Sequence, residues 1–155
     1  MATDALPAPA SSRGDIVGPA DIDRLVAAFY RAVLPDPIIG FIFTDIARID
    51  LAHHLPVISA FWQQQLLGRP GYRGQTFAAH RLIHERFALT ADHFYRWLYL
   101  FNATVDRLFC GPLAEAAKRR AALIARSMQE ALARRYPNIP EQDTGVLFWD
   151  TNNNP

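Results

Sequence analysis

Hydrophobic and polar positions alternate along the chain with a period close to 3.6, and that rhythm predicts helices. The first begins near Asp21, a residue able to cap free amides, and buries Ile22, Leu25, Val26, Phe29 and Val33. Pro35-Asp36-Pro37 ends it, because proline lacks the amide donor and disfavours helix in the residue before it. Ile38 to Phe43 is a short apolar turn with strand character but no nearby pairing partner. A second helix spans Asp50 to Leu67, with His54, Ile58, Phe61, Trp62 and Gln65 sharing one side. Pro56 falls inside it and predicts a kink or a first-turn position. A glycine-punctuated loop, Gly68 to Gly74, leads to a short helix near Thr76–Ile83 that carries His80. Thr90 then caps a longer helix on which Phe94, Trp97, Leu98, Phe101, Val105 and Leu108 keep the helical spacing. Cys110-Gly111 stops that helix, and Pro112 suits the first turn of the next. The last helix runs to about Tyr136 and buries Leu113, Ala117, Ile124, Met128, Ala131 and Leu132, with Arg119, Arg120, Arg126, Arg134 and Arg135 mainly outside. The predicted fold class is all-α, with four substantial helices, one short one, and no internal repeat.

The flanks lack this rhythm. Residues 1–19, rich in Ala, Pro, Ser and Gly, read as a flexible N-terminal arm. The domain proper spans 20–136, and 137–155 reads as a C-terminal tail after Pro137 and Pro140. Within that tail Val146-Leu-Phe-Trp149 is a short apolar anchor candidate.

Composition narrows the class further. The chain has 155 residues, half of them hydrophobic and only 20% charged, which excludes a wholly disordered chain. A formal net charge of +1, with arginines scattered among acids, gives no footprint for nucleic acid. No run approaches the roughly eighteen apolar residues a membrane helix needs, and the N-terminus lacks the basic and apolar regions of a signal peptide. One cysteine, Cys110, cannot form an internal disulfide, so a cytoplasmic protein is expected. No G-x-G-x-x-G stretch is present for a flavin or nicotinamide.

Candidate chemistry concentrates on five histidines, at 53, 54, 80, 84 and 93. His80 and His84 lie four apart on one helical face, a spacing compatible with a zinc pair but common by chance. His53 points about 100 degrees away from its neighbour His54 on an ideal helix and reads as solvated. His84 and His93 read as surface or loop residues. Cys110 has no base in its sequence context, which argues against a thiolate nucleophile.

Several segments occur in one order: Phe29-Tyr30 before Pro-Asp-Pro, Phe41-Ile-Phe43-Thr-Asp, His54, Phe61-Trp62 through Leu66-Leu67-Gly68, Tyr72-Arg-Gly74-Gln75 with His80 five residues on, and Phe94-Tyr-Arg-Trp97-Leu-Tyr-Leu-Phe101. Together they resemble the truncated haemoglobins, in particular their third group. The resemblance covers about residues 20–136. It implies a two-over-two helical sandwich holding haem b, with His80 as the proximal iron ligand and Tyr30, His54 and Trp97 as the distal set. Phe43 resembles the family's aromatic that packs on the porphyrin, and Phe94, Ile58 and Leu66 are candidates for the apolar wall. A flat apolar disc does need aromatic and aliphatic surroundings and one neutral imidazole. No Cys-x-x-Cys-His is present, so the haem is expected without thioether links. Arg73, Arg81 and Arg86 are cations near His80 in sequence, and the sequence does not choose among them as propionate partners.

The implied ligands are dioxygen, nitric oxide, carbon monoxide or peroxide. A hydrogen bond to a charge-enriched ligand atom is worth roughly 1.5–3 kcal/mol, which slows release about 10- to 150-fold. Two donors, Tyr30 and Trp97, therefore argue against fast oxygen delivery and for redox chemistry such as nitric oxide dioxygenation or peroxide handling, with electrons from a separate reductase. The alternatives are storage or sensing of a diatomic without turnover, and a haem-free helical protein that binds a partner.

Overall fold

The computed structural model describes residues 13–74 and 76–135, and the expectations for 1–12 and 136–155 lie outside those residues. Five helices carry the fold: α1 (Pro19–Val33), α2 (Leu51–Leu67), α3 (Thr76–Arg86), α4 (Ala91–Leu108) and α5 (Pro112–Arg135). Among the described residues there is no strand. The Ile38–Phe43 stretch enters a wide π-type turn at Ile42–Ile46, because its apolar side chains can fold inward without a pairing edge. Ile39, Ile42 and Phe43 are fully buried there.

α1 packs on α2, α4 packs on α5, and α1 crosses α4, giving two helix pairs stacked as a two-over-two sandwich. α5 presents Ala114, Ala117, Ala121 and Ala125 to the interior, and small side chains allow the close approach of α4. Leu113, Ile124 and Ala131, expected inside, sit only half-buried at the edge of this stripe. The five arginines expected outside on α5 are exposed.

The beginning of the fold differs from the sequence expectation. α1 starts at Pro19, after an extended Gly18, and the Asp21 carboxylate instead accepts from the Val17 amide. Residues 13–18, assigned above to the arm, are tied down. Ile16 is 1% exposed, the Cys110 amide donates to the Gly14 carbonyl, and Asp15 accepts from the Leu113 and Ala114 amides at 2.8 Å each. Asp15 thus acts as an N-cap for α5 supplied from a distant segment, a role that local periodicity cannot reveal. Gly111 is required beneath it: its φ is +148, and a side chain there would collide with Asp15.

α2 runs without interruption through Pro56. Pro56 and Ala52, whose carbonyl it deprives of a donor, are both exposed, so water can satisfy that carbonyl. The Pro35-Asp36-Pro37 turn is fixed from α4: Asp36 accepts from Arg96 Nε at 2.9 Å and from its Nη2 at 2.6 Å, and also from the Ile38 and Ile39 amides. Burial alone would raise the Asp36 carboxyl, but these donors outweigh it and hold the pKa below the usual value.

Candidate functional site

Tyr30 lies near the end of α1 and His54 in the first turn of α2, and both are buried. Asp50 caps α2 by accepting from the Ala52 amide, which sets the register that turns His54 inward and His53 to solvent. The Tyr30 hydroxyl and His54 Nε2 are 2.6 Å apart, joined by a hydrogen bond across 24 residues of sequence. Burial, and secondarily the neighbouring His53, push the His54 pKa down to about 4, so the ring is neutral at pH 7. A neutral ring has one N–H. With it on Nε2, His54 donates to Tyr30 and the phenol proton is directed elsewhere; with it on Nδ1, the phenol donates to His54.

Phe43 packs edge-on against Tyr30 at 5.7 Å. Phe29 meets Tyr30 at 5.5 Å and Trp97 at 5.7 Å, which places the indole of α4 one ring away from the phenol. Trp97 stacks on Phe101 at 5.4 Å, and Phe101 on Trp62 at 4.8 Å. The Trp97 Nε1 atom is buried. Ile58 and Phe94 are buried, and Leu66 is half-buried against the core.

His80 lies on α3 and is fully buried. Its Nδ1 is 2.7 Å from the Thr76 carbonyl oxygen. A carbonyl can only accept, so Nδ1 carries the hydrogen. Burial pushes the His80 pKa down to about 3 despite that bond. A neutral ring protonated at Nδ1 keeps its lone pair on Nε2, a buried atom.

The other histidines take structural roles. His84, expected at the surface, is 3% exposed, and its Nδ1 accepts from the Leu89 amide at 3.0 Å, ending α3. Sequence periodicity missed this because the bond reaches past the helix end. That acceptor role also removes Nδ1 from a zinc pair with His80, and among the described residues no three His, Cys, Asp or Glu gather around a metal position. His93, also expected at the surface, is half-buried and closes a capping box with Thr90. Cys110 is exposed. Arg86 reaches the Ile46 carbonyl, and Arg73 is exposed.

The all-helical two-over-two sandwich is the truncated-globin fold, and it carries a buried histidine on α3 and a buried tyrosine–histidine pair between α1 and α2. Among solved structures the chain is similar to the crystal structure of group III truncated haemoglobin from Campylobacter jejuni, with a TM-score of 0.68 and 27% identity. The match covers 77% of this chain and 94% of that one. The chain thus fits the third group of truncated haemoglobins. No family model and no curated protein matches it. The globin fold implies haem, and the donor set fits that group. A buried neutral imidazole whose tautomer is fixed by a carbonyl, with its lone pair on the other nitrogen, is how metal-binding histidine is held.

Proposed function

We propose that this chain binds haem b through His80 Nε2 and takes up dioxygen, nitric oxide or another diatomic on the side lined by Tyr30, His54 and Trp97, for redox turnover in the cytoplasm. Bound there, haem would supply a ferrous centre able to hold such a ligand and to exchange an electron with it. Phe43, Ile58, Leu66 and Phe94 would wall the group. The single observation that carries the reading is the buried 2.6 Å bond between Tyr30 and His54, in a core that also buries His80. A phenol held by a neutral imidazole is oriented before any ligand arrives, and preoriented donors favour a ligand atom that gains negative charge. Trp97 Nε1 offers a second donor of fixed polarity, since an indole N–H cannot accept. The low His54 pKa keeps a positive charge out of the pocket at neutral pH.

Nitric oxide dioxygenation combines nitric oxide, dioxygen and one electron into nitrate, so each turnover requires one electron from a separate reductase. The test mixes haem-loaded, oxygenated protein with stoichiometric nitric oxide. Rapid loss of the oxygenated spectrum with formation of nitrate is expected. An oxygenated form that survives overturns the turnover reading in favour of storage or sensing, and protein that takes up no haem overturns both.

A further inference from the structure

His80 depends on the Thr76 carbonyl, and Thr76 is the first residue of α3. A helix's first turn has amides without intrahelical partners and is prone to fray, so a contact from outside α3 helps to keep this acceptor in place. Tyr72 supplies it. Its hydroxyl is 2.5 Å from Thr76 Oγ1. Its ring packs edge-on against Phe61 of α2 at 5.0 Å, and Phe61 packs in turn against Trp62 at 5.5 Å. Trp62 is buried and stacked on Phe101, so the contact chain ends in the rigid aromatic core. Gly74 makes the arrangement possible, since any side chain there would collide with the Tyr72 ring.

We propose that Tyr72, through its hydroxyl contact with Thr76, is a positioning residue for His80, fixing the carbonyl that sets the orientation and basicity of the iron-binding imidazole. The proposal rests on the reading of His80 given above. Its physical content is a strut: core to Phe61, Phe61 to Tyr72, Tyr72 to Thr76, Thr76 to His80. Loosening the strut weakens the Nδ1–H bond. The ring then donates less electron density to a metal at Nε2, and its orientation is less restricted.

The test uses haem-loaded full-length protein as wild type, Tyr72→Phe, Thr76→Val, the double variant and Thr76→Ser. Two readouts are followed: the iron–histidine stretching frequency of the ferrous form by resonance Raman, and the rate of haem transfer to an excess of a haem-scavenging apoglobin. Tyr72→Phe keeps the ring against Phe61 and should lower the frequency and speed haem loss about tenfold, the low end for outer-shell partners of a metal ligand. Thr76→Val should match it, the double variant should add nothing, and Thr76→Ser should keep the wild-type values. A wild-type frequency in both single variants, even with altered thermal stability, makes Tyr72 merely structural and overturns the proposal while leaving His80 as ligand. Additive effects in the double variant overturn it as well. Wild-type protein that takes up no haem overturns the reading of His80 itself.

Discussion

His54 and His80 are both fully buried, but they are held by different means. His54 belongs to a 17-residue helix and bonds a tyrosine on another long helix, so its position is set by the packing of α1 on α2. His80 belongs to an 11-residue helix and bonds a carbonyl four residues back, so its position is set locally. A polar pair held by tertiary packing is preorganised only when the whole core is formed. A histidine held within its own helix needs only that helix and its anchor. On the proposed function, ligand selection would sit on the side that the core makes rigid, and cofactor capture on a short element with one tether.

Removing the local side should have the largest effect. His80→Gly deletes the imidazole from a site that offers it a buried position, so haem affinity should collapse and free imidazole should restore a Soret band. Absorption spectra of the purified variant with and without imidazole check this. Haem retained with an unchanged spectrum would place the iron ligand elsewhere and dissolve the contrast between the two histidines.

Acid should weaken both sides of the haem-free protein. The folded pKa values, about 4 for His54 and about 3 for His80, lie below the ordinary 6.5. The unfolded chain therefore takes up protons first as pH falls. Stability is fully present above pH 6.5 and falls as the pH drops, until about pH 4 for His54 and about pH 3 for His80. Urea midpoints of the apoprotein between pH 7 and 4 read this out. His54→Gln should flatten part of the slope, and an unchanged slope would show that His54 is solvated.

At the Tyr30–His54 pair, Tyr30→Phe keeps the ring packed on Phe29 and Phe43 but removes the hydroxyl. Dioxygen should leave about 10- to 150-fold faster, corresponding to roughly 1.5–3 kcal/mol for a hydrogen bond to a charged acceptor. Stopped-flow displacement by carbon monoxide measures it. A wild-type rate would mean that the phenol serves only His54.

Much of the helical order was legible because periodicity records burial directly: Ile22, Leu25, Val26, Phe29 and Val33 on α1 and Phe94, Trp97, Phe101 and Val105 on α4 are buried as their spacing predicted, while Leu98 and Leu108 are half-buried at the edge of that face. His54 and Tyr30 were also named from sequence, on the strength of the family resemblance, although their mutual bond spans 24 residues and no local pattern encodes it. What stayed hidden was side chains acting across elements. Asp36 with Arg96 is separated by 60 residues, and Asp15 with Ala114 by 99. The Tyr72–Thr76 contact was closer to hand: a four-residue spacing around Gly74, in a loop that ends in a helix.

The smallest expected effect serves as the control for the comparison. Asp15 holds the first amides of α5 from outside the helix and touches neither histidine. Asp15→Ala removes an N-cap, which costs about 1 kcal/mol. The urea midpoint should fall accordingly, while haem loss and dioxygen release stay at wild-type rates. If either rate moves with the midpoint, the site draws its order from the clasp between residues 13–18 and α5, and the division into a locally held and a core-held histidine does not stand.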